Sequence, residues 1–172
     1  MESNPLIRRA VPFDGTETAA VFSAALRSMS FFPKLHSDVE DRQFIADLIE
    51  QAEFWVAEED DQIVGLACIQ GNWLAHLYVR PDCRSHGIGT ALLNHVKTHR
   101  PEGFQFWTFQ ANMGARRFYE RHGCKAVEFT DGNGNAEKLP DIRFVWPHTI
   151  SQPDSLESPL DSSASASGSA DV

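Results

Sequence analysis

The stretch RSHGIGT, Arg84 to Thr90, sets two glycines around an isoleucine just ahead of an apolar run with helical spacing. A short glycine-containing loop between a strand and a helix is a common way to hold an anion. The N–H groups of the first helical turn have no intrahelical acceptor, and the helix dipole favours negative charge there. Gly87 and Gly89 let the backbone come close to a phosphate, and Arg84 brings a guanidinium for a charge-assisted contact. Two well-known phosphate loops are excluded by spacing. A Walker-type loop needs Gly-Lys-Ser/Thr at its end, whereas Gly89 is followed by Thr90 and Ala91. A dinucleotide loop needs a third glycine where Leu92 stands. What remains is Arg-x-x-Gly-x-Gly, placed after a strand and Pro81.

Other chemistries are poorly supplied. Cys83 with His86, and His95 with His99 on a helix, each offer two ligands where zinc takes three or four, so no metal is expected. Cys68, Cys83 and Cys124 are too few and too far apart for a disulfide framework, and no CxxC occurs. They read as reduced thiols in a cytoplasmic protein. The N-terminal MESNPLIRRAVPFDG lacks the pattern of a secretion signal, and no run of about 18 apolar residues is present to enter a membrane. A formal net charge of −9 argues against nucleic acid as a partner.

The elements that would hold the loop alternate along the chain. LIRRAV reads as an opening strand, and FDGTETAAVFSAALRSM as a helix with Asp14 as N-cap and Glu17 three residues on. SDVEDRQFIADLIEQA is a second helix, with a capping box from Ser37 and Glu40 and an apolar stripe through Phe44, Ile45, Leu48 and Ile49. EFWVAEE and QIVGLACIQ form a hairpin about Asp60 and Asp61, and NWLAHLYVR is the strand that feeds the loop. In that strand Leu77 and Val79 share one face, with His76 and Tyr78 on the other. TALLNHVKTHR is helical, FQFWTF a strand, NMGARRFYERHG a short helix closed by Gly123, and CKAVEFT and DIRFVW are closing strands. The expected fold class is α/β, a single domain over residues 1–147 with a mixed central sheet and the order β-α-α-β-β-β-α-β-α-β-β. Residues 148–172, rich in Ser, Ala and Asp, are expected to be a disordered tail.

Two blocks, LYVRPDCRSHGIGTALLNHV (77–96) and NMGARRFYERHGCKAV (112–127), in this order with a strand between, resemble the GNAT superfamily of N-acetyltransferases. The likeness extends over roughly residues 5–147. It implies a loop of Arg84, Ser85, His86, Gly87, Ile88 and Gly89 around the pyrophosphate of acetyl-CoA, with Thr90 adding a hydroxyl. Ser85 and His86 depart from the family's usual Gly and basic or small residue. The resemblance also implies that the backbone of Leu77, Tyr78 and Val79 meets the pantetheine arm at a bulge. Asn112 would bond the pantetheine, although an asparagine there caps a helix equally well. Phe118 would wall the pantetheine or pack in the core.

Tyr119 matches the family's general acid, a phenol that protonates the departing thiolate. The family's glutamate base on the strand before the loop has no counterpart in NWLAHLYV. His76 is the candidate there, with Glu128, Glu137 and Asp141 as further ones. The implied function is acetyl transfer from acetyl-CoA to a primary amine, of a small molecule or a peptide, by direct attack in a ternary complex. The missing strand carboxylate keeps a non-catalytic acyl-CoA-binding module as the alternative. The sequence does not set the oligomeric state; dimers are common in the resembling family, which leaves a homodimer open by analogy alone.

Overall fold

The computed structural model describes residues 4–147, so the expected tail lies outside the described residues. The elements follow the order read from the sequence: β1 (Leu6–Arg9), α1 (Gly15–Ser28), α2 (Asp38–Gln51), β2 (Glu53–Glu59), β3 (Gln62–Gln70), β4 (Trp73–Val79), α3 (Ile88–His99), β5 (Phe104–Phe109), α4 (Met113–Arg121), β6 (Lys125–Phe129) and β7 (Asp141–Trp146). Short 3-10 turns precede α1 (Pro12–Asp14) and follow β4 (Pro81–Cys83).

The local signals mostly act as chemistry requires. Ser37 accepts from the Glu40 N–H while Glu40 accepts from the Ser37 N–H, so the capping box starts α2. Asp60 and Asp61 both adopt positive φ, 50° and 59°, which lets a two-residue turn match the twist of β2 and β3. The start of α1 differs from expectation. Asp14 does not cap the helix with its side chain; its carboxylate accepts two bonds from Arg8 and one from the Val11 N–H. A guanidinium fork within reach outcompetes the helical N–H groups for those oxygens. Glu17 in turn accepts from the Ile63 N–H and ties α1 to β3.

The strands form one sheet in the order β1-β2-β3-β4-β5-β7-β6, antiparallel throughout except for β4 with β5. Apolar residues fill both faces. One cluster unites Leu77, Val79 and Phe106 with α3 and α4. The other unites Leu66, Tyr78 and Phe109 with α1 and α2.

Two irregularities at the centre make the sheet more than a scaffold. In β4, His76 stands opposite Cys68 but Leu74 opposite Ile69, so Ala75 is an extra residue. This is a β-bulge, and it turns Ala75 and His76 to one face together, between Leu74 and Leu77 on the other. The second irregularity is that β4 and β5 pair at a single register position, Trp73 with Gln105, where the Gln105 N–H donates to the Asn72 carbonyl at 2.9 Å. Beyond it the strands part. A wedge therefore opens at the one parallel step of the sheet, where open α/β sheets bind ligands.

Candidate active site

The glycine loop sits at the C-terminal end of β4, beside the mouth of the wedge. After the Pro81–Cys83 turn the backbone enters the left-handed region twice, at Ser85 (φ 68°) and Gly87 (φ 79°), before α3 begins at Ile88. Gly87 needs its lack of a Cβ here; Ser85 adopts the same region at a cost of about 1–2 kcal/mol. No side chain caps α3 and its first turn carries no acidic residue, so no carboxylate offsets the positive end of the helix dipole there. Ser85, His86 and Gly87 are exposed, while Ile88 and Gly89 are buried.

Sequence reasoning overlooked Gly65 on β3. A Cβ there would lie 2.9 Å from Leu92 Cδ1 and 3.1 Å from Ile88 Cγ2, so the glycine lets the first turns of α3 press onto the sheet. Its signal, a lone glycine inside an apolar strand, was present in QIVGLACIQ.

Three loop residues have additional ties. Arg84 donates from Nη2 to Ser28 Oγ at 2.9 Å, joining the loop to the end of α1. Thr90 Oγ1 lies 3.1 Å from His122 Nε2. Because His122 Nδ1 faces the Phe118 carbonyl at 2.7 Å, Nδ1 carries the proton in the neutral ring, and Nε2 accepts from Thr90. The Thr90 hydroxyl thus joins α3 to α4 instead of pointing its proton at the loop. Asn112 accepts from the Ala115 N–H and caps α4, as one of its two expected roles required, and its amide donates toward Met29 Sδ at 3.6 Å.

Two buried phenols come from opposite faces of the sheet, near enough that the charge of Tyr119 acts on Tyr78. Tyr119 on α4 is buried, with its ring 4.3 Å from Phe106, and its hydroxyl has no hydrogen-bond partner among the described residues. Burial raises it well above the usual phenol range, helped by Cys124, so it stays protonated. Phe118 packs against it in the same cluster. Tyr78, on the other face of β4, is likewise buried with an unpartnered hydroxyl. Burial raises it first, and the charges of Glu137 and Tyr119 raise it further. Leu77 and Val79 pack into the α3–α4 cluster, their backbone paired with β3 on one side and turned to the wedge on the other.

His76 is fully buried in an aromatic box of Phe22, Phe44 and Tyr78, at centroid distances of 5.8, 5.5 and 6.0 Å. Neither ring nitrogen has a hydrogen-bond partner among the described residues. Desolvation lowers its pKa from 6.5 to about 3. An imidazole this acidic in its charged form is a weak proton acceptor, which argues against the role of base.

Of the further carboxylates, Glu128 accepts from Arg143 at 2.8 Å on an exposed strand. Asp141 accepts from Thr130 and from Asn135, and Glu137 is buried at 5% exposure on the β6–β7 loop. All three cysteines are buried; burial pushes Cys68 and Cys124 up to about 12 and raises Cys83. Among the described residues no three metal-ligating side chains converge, and no helix is long and apolar enough to cross a membrane.

Residues 50–125 match the model of an acetyltransferase (GNAT) domain. The chain is 26% identical over 142 residues to the peptidyl-lysine N-acetyltransferase YjaB of Salmonella typhimurium, covering 82% of this chain and 97% of that one. It is 33% identical over 100 residues to the peptidyl-lysine N-acetyltransferase YiaC of Escherichia coli, covering 58% and 66%. The solution structure of apo YjaB from Escherichia coli superimposes with a TM-score of 0.71 at 23% identity, over 84% of this chain and 98% of that one. At that identity the superposition speaks for the fold alone.

Proposed function

The chain belongs to the GNAT superfamily and is an N-acetyltransferase, and from that premise we propose that it carries the acetyl group of acetyl-CoA to the side-chain amine of a peptidyl lysine by direct attack in a ternary complex. The observation that carries this reading is the wedge between β4 and β5, with a helix N-terminus that no side chain caps at the end of β4. GNAT acetyltransferases use acetyl-CoA as cosubstrate, and the residues present fit it. The N–H groups of the loop from Arg84 to Gly89 would receive the pyrophosphate, with His86 exposed beside it. The wedge-facing backbone of Leu77, Tyr78 and Val79, with Asn112 opposite, would align the pantetheine, and Phe118 would serve as packing behind Tyr119. Bound there, the cosubstrate supplies an activated acyl carbon.

Tyr119 holds the proton that the departing sulfur needs, and its burial keeps water from competing for it. The acceptor amine enters from the α1–α2 side, where Phe31 meets Phe109 edge-on at 5.9 Å and Phe32 lies tilted against it at 5.7 Å, offering an apolar wall to an aliphatic stem. Lysine as acceptor rests on what the relatives are named for, together with that wall. Direct transfer rests on the thiols: buried and held protonated, they make poor acyl carriers.

Calorimetry with acetyl-CoA tests the loop. The wild type is expected to bind in the micromolar range and the double variant Gly87→Trp, Gly89→Trp to lose at least tenfold in affinity. Equal binding by both would remove the loop from the site.

A further inference from the structure

A cavity of about 270 Å3 is formed by α1, α2 and the chain that joins them. Leu26, Met29, Phe32 and Leu35 supply its apolar lining. Ser23 of α1 and Asp41 of α2 belong to the same lining, and the serine hydroxyl donates to the carboxylate at 2.6 Å. Pockets that hold whole ligands begin at roughly 300 Å3, so this one suits a single side chain better than a cofactor. It borders the site already described. Phe32 packs against Phe109 at the end of β5, with ring centroids 5.7 Å apart. Met29 receives the Asn112 amide on its sulfur at 3.6 Å, and Ser28 just before it holds Arg84 of the glycine loop.

The polar part of the lining suits a donor-rich cation. Asp41 is buried at 7% exposure and forms no ion pair among the described residues. It stands in the first turn of α2, whose dipole steadies the carboxylate without neutralising it. The cations nearby are placed elsewhere. Arg27 pairs with Asp38 at 3.1 Å, both side chains more than half exposed, and Lys34 is exposed. His36, also in the lining, buries Nε2 with no hydrogen-bond partner among the described residues. With the proton on Nδ1, that nitrogen is an acceptor. An anion here would be repelled by Asp41, and a purely apolar occupant would leave the carboxylate desolvated without a counter-charge. A basic side chain meets both demands. Its methylene stem lies on Leu26, Phe32 and Leu35, and its N–H groups reach Asp41 and His36.

We propose that this cavity receives a basic side chain, lysine or arginine, that neighbours the target lysine in the peptide, and that Asp41 selects it. The inference rests on the reading of the protein as a lysine acetyltransferase and narrows the substrate class to peptides whose target lysine has a basic neighbour. Phe32 belongs to both walls: one side of the chain's entry runs along Phe31, Phe32 and Phe109, and the other is the cavity. Two adjacent side chains of one peptide can therefore be held together, the target toward the wedge and its neighbour against Asp41. Ser23 is a positioning residue that fixes the carboxylate. Asp41 touches the neighbour and not the reacting atoms, so its contribution falls on the affinity for the peptide. The formal net charge of −9 acts in the same direction, drawing basic peptides to the protein.

The test uses the full chain with acetyl-CoA and lysine peptides that differ only in the residue beside the target, placed on either side in turn: arginine, leucine or glutamate. The wild type is expected to favour the arginine peptide over the leucine peptide by about tenfold or more in kcat/KM, chiefly through KM, with the glutamate peptide slowest. Asp41→Asn keeps the shape and can still accept from Ser23, and in it the arginine advantage should fall to about twofold or less. Glu50→Gln removes an exposed carboxylate from the same helix and should keep the wild-type preference. If Asp41→Asn melts early, Leu35→Trp, which fills the cavity from its exposed rim, should erase the same preference in a folded enzyme. Equal rates on the three peptides, a preference that survives Asp41→Asn or Leu35→Trp, or one lost equally in Glu50→Gln would overturn the role of Asp41 and leave lysine acetylation standing. A wild type inactive on every lysine peptide would overturn both.

Discussion

His76 shows how a residue's chemistry is set by its surroundings more than by its type. In the sequence it is the histidine on the strand before the loop, a residue type that titrates near neutrality. In the structure the bulge at Ala75 turns it into the box of Phe22, Phe44 and Tyr78, and burial holds it neutral. Its folded pKa lies below its unfolded one, so the unfolded chain binds the extra proton. The folded state therefore loses stability as pH falls below about 6.5, with the loss levelling off near 3. Between pH 7 and pH 5 this costs about 2 kcal/mol. Urea unfolding at the two pH values should show the wild type losing about that much more than His76→Phe, and a His76→Phe enzyme should keep the wild-type pH–rate profile. Equal pH sensitivity in both chains would mean that the ring is solvated or partnered after all. Tyr119, by contrast, keeps its proton: burial raises its phenol well above the usual range and leaves its hydroxyl without a partner among the described residues.

At the scale of elements, the loop RSHGIGT balances strain against ligand geometry. Ser85 and Gly87 share the left-handed region, but only one of them is glycine. Ser85→Gly should stabilise the protein by about 1 kcal/mol, measured by denaturant unfolding, with acetyl-CoA affinity retained. Destabilisation would show that the Ser85 side chain holds the loop. Much of the element order could be read directly, because periods of 2 and 3.6 are dense in QIVGLACIQ, FQFWTF and DRQFIADLIEQ. The bulge could not, since nothing in WLAHLYV marks Ala75 as the extra residue; it follows from the pairing with β3. Asp14 reads as a helix cap because its place before α1 is legible in the sequence while the approach of Arg8 from β1 is not. The β6–β7 loop is not legible either: it is a run rich in Gly and Asn without periodicity, and its shape depends on the Asn135 bond to Asp141 and on the packing of Leu139.

For the molecule as a whole, the two apolar clusters on opposite faces do different work. The α3–α4 face would carry the donor under the proposed function, with Gly65 admitting α3 close to the sheet and Tyr119 packed in the same cluster. The α1–α2 face, with Phe31, Phe32 and the β6–β7 loop, stands where an acceptor would enter. The sheet opens between them where β4 and β5 part, a gap at which the proposed donor and acceptor would be held at once, as sequential transfer requires. The relatives' names favour an enzyme over a binding-only module, and the protonated phenol in the wedge agrees. The most direct measurement is mass spectrometry of a lysine peptide incubated with the full chain and acetyl-CoA, with Tyr119→Phe in parallel. The account predicts a single acetyl group on the lysine Nζ, formed about 100-fold more slowly by Tyr119→Phe at unchanged acetyl-CoA affinity. Tight acetyl-CoA binding by the wild type with no acetylated lysine would contradict it.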